Sequence, residues 1–310
     1  MLEEIRSTCA AVSAQATQVR IDEARLDGYA AELRAAERVP DDDPGRMRLR
    51  TVEDTVAFVV ALDAVNFGSG WFPVLRKRPG MSGYHTIAST FRDRCGQHGA
   101  PAAGWLREVT TAEACRLFDQ APGSPAAELM AHFAIAWNQL GALLEDRFDG
   151  SATNLVEAAE RSAERLLLLL RAAPYFEDRR RYRDLDVAFY KRAQIVSADL
   201  DLALGGTGPG RFDDLDRLTI FADNLVPHVL RVDGVLELDG ALAARIDGEE
   251  LLEEGSEAEV ELRAGAVHAV ELLVPRTGMT AADLDNLLWN RGQGLRYKAV
   301  PRPRCRTVSY

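Results

Sequence analysis

The stretch SATNLVEAAERSAERLLLLL, Ser151 to Leu170, opens on a serine placed to cap a helix and closes on five consecutive leucines. A capping hydroxyl accepts from a free amide of the first turn, and the apolar spacing behind it predicts one helix from Ser151 to Ala173. The same spacing continues in both directions. Upstream it predicts helices over Thr111–Phe118 and Ala126–Phe148, and downstream over Val187–Leu204. Nearer the start, Ile21, Leu26, Tyr29, Ala30 and Leu33 recur at helical intervals, and Val52–Phe67 carries a broad apolar face. Strand signals are few, Gly234–Leu238 being one short candidate. The pattern therefore predicts a mainly α chain with few short strands. We read it as a single compact domain over residues 1–310, with an N-terminal lobe of about 1–180 and a C-terminal lobe of about 181–310.

Three breaks punctuate the helices. PDDDPG, Pro40–Gly45, reads as a turn, and GGTGPGRF, Gly205–Phe212, ends the helix predicted over Val187–Leu204. Between them, NFGSGWFPVLRKRPGMSGYHT, Asn66–Thr86, holds four glycines and two prolines, which forbid a regular helix. Loops of this length in ordered chains usually serve a site, and Phe67, Trp71, Phe72 and Tyr84 supply the apolar surface to hold it in place.

Composition narrows the function. With 310 residues, 47% of them hydrophobic, the chain can bury a large core. Its 48 acidic against 37 basic residues leave a net charge of -11, which repels nucleic-acid polymers and anionic membranes and favours a small-molecule partner. Cys9, Cys95, Cys115 and Cys305 are too widely spaced for a metal-binding pair, and the acidic, amphipathic N-terminus does not read as a secretory signal. No apolar run approaches membrane-spanning length, so the cytoplasm is the expected location.

Weak motifs fall away on inspection. His85, His98, His132, His228 and His268 show no metal-ligand spacing, and NFGSGWF lacks both the dinucleotide fingerprint and the phosphate-loop ending. The basic run RRRYR, Arg179–Arg183, reads first as a solvated face. Three segments hold more. FYKRAQIVSADLDLAL, Phe189–Leu204, sets Lys191, Arg192 and Asp199 into a strongly apolar helix, either as a buried ion-pair network or as a phosphate clamp. LTIFADNLVPHVL, Leu218–Leu230, places Asp223 in an apolar run, where a carboxylate is either hydrogen-bonded structurally or catalytic. LDNLLWN, Leu284–Asn290, puts Asp285 one helical turn from Trp289, a carboxylate beside a stacking ring.

Taken in order, these segments resemble the queuosine salvage protein family, the queuosine 5'-phosphate N-glycosylases/hydrolases. The resemblance rests on FYKRAQ (Phe189–Gln194) with Ala198-Asp199, LTIFAD with VP-x-VL (Leu218–Leu230), GSEAEVELRAGAVHAVELL (Gly255–Leu273), LD-x-x-LW (Leu284–Trp289) and P-x-x-R-x-R-T-x-x-Y (Pro301–Tyr310). LDAVNF (Leu62–Phe67) and Gly83-Tyr84 match more weakly. The resemblance implies release of a 7-deazapurine base, queuine, from its nucleoside 5'-monophosphate, on a helical fold similar to helix-hairpin-helix DNA glycosylases. It further implies that Phe221 contacts the base, that Asp223 is the catalytic carboxylate and that Asp285 recognises the base. Four positions depart from the family pattern: Asn224 replaces an aromatic, His228 a glutamine, Asn286 a tyrosine and Asn290 an aspartate.

N-glycoside cleavage builds positive charge on the ribose, which a preorganised carboxylate stabilises while it orients water. Asp223 is the candidate for that role. Phe221 and Trp289 are candidates to stack the base, with Asn224, His228, Asp285, Asn286 and Asn290 as its polar partners. Lys191 and Arg192 are candidates for the 5'-phosphate, with Asp199 beside them and Arg263 and the terminal arginines as further cations. The chemistry requires no metal or organic cofactor. Two alternatives stay open: a family member that binds a nucleotide without hydrolysing it, as Asn290 would allow, and a DNA or RNA glycosylase. The four departures also lead us to expect queuosine 5'-phosphate to be a poor substrate relative to a nucleotide with a different base.

Overall fold

The computed structural model describes residues 1–36, 43–44 and 48–310. The turn expected over Pro40–Gly45 lies outside the described residues except for Asp43 and Pro44. Fifteen α-helices and three two-stranded sheets are found among the described residues, so the architecture is mainly α.

Two buried helices organise the rest. Glu257–Thr277 is apolar or buried on most of its circumference, as a central helix must be, and it packs against Leu2–Gln15, Glu23–Ala35, Leu225–Val232 and Ala281–Arg291. Lys191–Leu204 is equally enclosed and packs on Val52–Asp63 and Ala163–Leu170. One hydrophobic core runs from Leu2 to Tyr297 through both. Leu2, Ile5, Cys9 and Val12 of the first helix are buried, and this stripe meets Glu257–Thr277 at the other end of the chain.

The opening segment folds as two helices rather than one. Ala152–Glu157 and Ala163–Leu170 are separated by Glu160 and Arg161, both with left-handed backbones (φ 50° and 61°). Each helix starts on its own serine: Ser151 Oγ accepts from Asn154 N and Ser162 Oγ from Arg165 N, both at 3.2 Å. The second cap was present in the sequence at Ser162, and the leucine run hid it. The helix expected from Val187 likewise begins later. Arg179–Tyr182 and Leu185–Ala188 form an antiparallel hairpin, and the helix starts at Lys191 after a left-handed Tyr190 (φ 52°). Val187 is β-branched and sits in the second strand of the hairpin, and the left-handed Tyr190 interrupts the helical path before Lys191. The expected strand near Gly234–Leu238 forms at Leu236–Leu238 and pairs with Val19–Ile21.

The Asn66–Thr86 loop is held at several points. Trp71 Nε1 donates to Glu128 Oε2 (2.7 Å), Gln120 bonds both N–H and C=O of Arg76 (3.0 Å each), and Gly68 N donates to Tyr310 O (3.0 Å). It ends at Ser82, whose hydroxyl caps the Gly83–His98 helix. Gly70 lies against the C-terminal strand so closely that an added Cβ would stand 2.3 Å from Cys305 O. Both sides of that contact are backbone. Gly70→Ala is therefore expected to destabilise the protein by about 1–3 kcal/mol, read as a lowered midpoint in denaturant titration with an unchanged slope.

Candidate active site

The loop, several helices and the C-terminal segment enclose one large cavity of about 610 Å³. It is lined by Phe72 of the loop, Tyr84 of the Gly83–His98 helix, Lys191 and Ile195, Phe221, Asp223, Asn224 and Leu225, Asp285 and Trp289, and Lys298, Arg302, Arg304 and Tyr310.

Asp223 stands at the mouth of a helix N-terminus. Its Oδ1 accepts from Leu225 N (2.7 Å) and Val226 N (3.0 Å), the first free amides of the Leu225–Val232 helix. These bonds fix the carboxylate plane, and the helix dipole stabilises its negative charge. Among the described residues, no donor occupies Oδ2, and Asp223 lines the cavity. The chain on either side is also held. Phe221 N donates to Asp285 Oδ1 (2.8 Å), and Ala222 O accepts from Arg263 Nε (2.9 Å). Asp285 thus positions the Asp223 loop as well as facing the cavity.

Cations face Asp223 from two directions. Lys191 Nζ donates to Asn66 O (3.0 Å) and Asn66 Oδ1 (3.1 Å), which uses two of its three protons. Burial holds the Lys191 ammonium below the usual lysine range, against the pull of Asp223, Asp63 and Asp285. Arg302 enters from the C-terminal segment. Burial lowers its proton affinity too, while Asp223 raises it and Arg304 lowers it. Among the described residues no carboxylate lies within ion-pair distance of Arg302, whereas Arg304 pairs with Glu249 at 3.3 Å. A largely buried cationic fork that faces a cavity beside Lys191 suits a phosphate.

The aromatic wall is built around Trp289. Tyr84 meets it edge-on at 5.6 Å (81°) and His85 lies tilted at 5.7 Å (36°), while Tyr84 Oη donates to both oxygens of Asp43 (2.8 and 3.0 Å). Rings fixed in this way present a flat apolar surface to a heterocycle. A carboxylate, a stacking wall and a phosphate-compatible pair of cations thus share one space.

A family model described as queuosine salvage protein matches residues 47–310. The chain belongs to the queuosine salvage protein family. It is 35% identical over 264 residues to the queuosine 5'-phosphate N-glycosylase/hydrolase of Sphaerobacter thermophilus, an alignment covering 82% of this chain and 80% of that relative. The proteins of the same name from Dictyostelium discoideum and Mus musculus are 35% and 33% identical, over 56% of each chain. The Leu2–Gln15 and Glu23–Ala35 helices precede the span matched by the family model.

Not every residue expected at the site faces this queuosine salvage family cavity. Arg192 follows Lys191 but turns into the core, where Nη1 donates to Ala64 O (2.6 Å), Nη2 donates to Tyr175 O, and the guanidinium lies over Phe67 (4.8 Å) and Phe176 (5.1 Å). It satisfies the C-terminal carbonyl end of the Val52–Asp63 helix instead of a phosphate. Asp199 is buried outside the cavity lining, where its charge acts on Asp63; burial first, then Asp199, push the Asp63 carboxyl well above the usual range. His228 is buried with Nε2 against Tyr297 O (2.9 Å), and burial lowers its basicity. Asn286 and Asn290 also lie outside the lining. They follow Asp285 and Trp289 by one residue each, which rotates them about 100° around the Ala281–Arg291 helix. Asn290 Nδ2 there donates to Asn286 O (3.0 Å) and Oδ1 (2.8 Å). Of the four departures from the family pattern only Asn224 lines the cavity, and its amide donates to Pro303 O (3.0 Å). Arg263, a reserve phosphate candidate, is fully buried against Asp178.

Asn66 and Tyr84 come to the cavity without having been expected as site residues, whereas Arg302 and Arg304 belong to the terminal arginines expected as further cations. Asn66, Tyr84, Arg302 and Arg304 all lie within the matching motifs, which carried the signal, but no local pattern told which of their side chains face inward. Because Asn290 bonds its own helix, Asn290→Ala is expected to leave kcat/KM within about twofold of wild type, the effect of an ordinary surface change. Steady-state kinetics on the preferred nucleotide check it.

Proposed function

We propose that this chain hydrolyses the N-glycosidic bond of queuosine 5'-phosphate, releasing the 7-deazapurine base queuine and ribose 5-phosphate. The observation that carries the reading is the placement of Asp223, a carboxylate locked by two amides in a cavity that also presents Trp289 and Lys191. The base lies on the Trp289 wall with Phe221 beside it, the anomeric carbon faces Asp223, and the phosphate meets Lys191 and Arg302. As the bond to the base lengthens, positive charge grows on the ribose, and Asp223 stabilises it without reorganising. Water then adds to the anomeric carbon from the carboxylate side and gives its proton to Asp223, which passes it through solvent to the nitrogen of the departing base, so that one water is added across the broken bond and the carboxylate is regenerated.

The expectation that queuosine 5'-phosphate is a poor substrate loses its support. It rested on Asn224, His228, Asn286 and Asn290, three of which do not line the cavity, and the fourth spends its amide on Pro303. The non-hydrolysing reading, which rested on Asn290, loses its ground for the same reason. Incubating the protein with an excess of queuosine 5'-phosphate, a 7-deazaguanosine monophosphate and GMP, with mass spectrometry of the products, tests the proposal. Repeated turnover with queuosine 5'-phosphate preferred supports it; tight binding without free base contradicts it.

A further inference from the structure

Behind the cavity wall, Arg263 and Asp178 are both almost inaccessible, with side-chain exposures of 1% and 3%. Arg263 Nη1 and Nη2 donate to Asp178 Oδ1 (3.0 Å) and Oδ2 (2.7 Å), a two-pronged pair. The remaining donor, Nε, reaches Ala222 O (2.9 Å), the carbonyl directly before Asp223. Asp178 Oδ2 also accepts from Lys191 N (3.2 Å), and Asp178 O accepts from Phe189 N (3.0 Å) at the turn that launches the Lys191 helix. The guanidinium lies between the rings of Phe189 (3.9 Å) and Tyr310 (4.6 Å). Each nitrogen of Arg263 thus donates, Nε to the carbonyl beside Asp223 and Nη1 and Nη2 to the carboxylate that accepts from Lys191 N, while Glu259 Oε1 stands 3.6 Å from Nη1.

A buried ion pair is a weak source of stability, because desolvation offsets most of the attraction. Its geometry, however, is demanding. A planar fork can hold a carboxylate with two prongs and a carbonyl with its third donor at once, which an ammonium cannot. We infer that Arg263 and Asp178 are positioning residues for the reaction, linking the Asp223 loop to the start of the Lys191 helix and so setting where the carboxylate stands relative to the lysine. The inference rests on the proposed hydrolytic role of Asp223. Neither residue touches the substrate; both act through Asp223 and Lys191. Misplacement of a reacting group by about 1 Å costs about 10²-fold in rate, whereas substrate contacts made by the Trp289 wall and Arg302 are left in place.

The test is Arg263→Lys, which keeps the charge beside Asp178 and cannot hold both partners. With circular dichroism showing a folded protein, kcat on queuosine 5'-phosphate is expected to fall by about 10-fold to 10²-fold with KM changed less than about threefold. In an Asp223→Asn background the same change is expected to cost no further activity, since a residue acting through Asp223 has nothing left to position. A folded Arg263→Lys with wild-type kcat, or one whose loss adds in full to that of Asp223→Asn, overturns the inference. If Arg263→Lys does not fold, Asp178→Asn is read by the same criteria, and failure of both to fold assigns the pair to folding alone and overturns it. If Asp223→Asn itself retains wild-type activity, the failure lies with the proposed reaction and not with the strut.

Discussion

Asn in place of Asp223 is expected to reduce kcat by about 10²-fold to 10³-fold, the loss typical when one preorganised stabiliser of transition-state charge is removed, about 2.7–4 kcal/mol. The substitution isolates charge from shape. Asparagine caps a helix as well as aspartate does, so its side-chain oxygen keeps accepting from Leu225 N and Val226 N and the loop stays in place. What disappears is the negative charge opposite the anomeric carbon, together with its attraction for Lys191 and Arg302. Stability should fall by no more than about 1 kcal/mol, the size of a lost charge at a helix N-terminus. Kinetics and thermal melting on the same preparation separate the two effects, and a variant with wild-type kcat removes Asp223 from the chemistry.

Queuosine 5'-phosphate is expected to exceed the unphosphorylated nucleoside in kcat/KM by about 10²-fold to 10⁴-fold, since two charge-assisted contacts contribute about 1.5–3 kcal/mol each. The contacts are those of Lys191 and Arg302. Lys191→Met or Arg302→Met should therefore lower kcat/KM for the nucleotide about 10-fold to 10²-fold and leave the nucleoside almost unaffected. A pH dependence accompanies this. Burial lowers the Lys191 pKa, and its charged form exists only below that value, so raising the pH removes the ammonium earlier than from an exposed lysine at about 10.4. KM for the nucleotide should rise on this alkaline limb, KM for the nucleoside should not, and Lys191→Arg should move the limb upward. Equal efficiency on nucleoside and nucleotide contradicts the assignment.

Helices declare themselves in a sequence because their burial pattern is local. The Asp285–Trp289 face could be read directly, since residues four apart lie on one side wherever the helix is docked, whereas the Glu257–Thr277 helix, buried on most of its circumference, shows no one-sided apolar stripe and entered only as the motif Gly255–Leu273. The same rule, applied one residue further, tells why Asn286 and Asn290 miss the cavity, but only once the docking face is known. Lys191 and Arg192 show the limit more sharply. They are neighbours of equal charge, and what sends one to the cavity and the other to Ala64 O and Tyr175 O is the placement of the Asn66 loop and the Pro174–Phe176 turn, more than a hundred and about fifteen residues away respectively. Tyr84 reaches the site through closure of an equally distant segment, so composition and spacing could not announce it, and they offered Arg302 only as one of several terminal cations. The hairpin at Arg179–Ala188 was obscured by its charges, because Arg179 and Arg180 are tied to Glu4 and Glu254 rather than spread over a solvated face.

The central claim, hydrolysis at Asp223, is tested most directly by a single turnover of queuosine 5'-phosphate with enzyme in excess, quenched over time and resolved by mass spectrometry for wild type and Asp223→Asn in parallel. The account predicts that wild type converts the bound nucleotide to queuine and ribose 5-phosphate in equal amounts, while Asp223→Asn holds it intact over the same interval. Intact nucleotide with wild type, or equal rates for the two proteins, would contradict it.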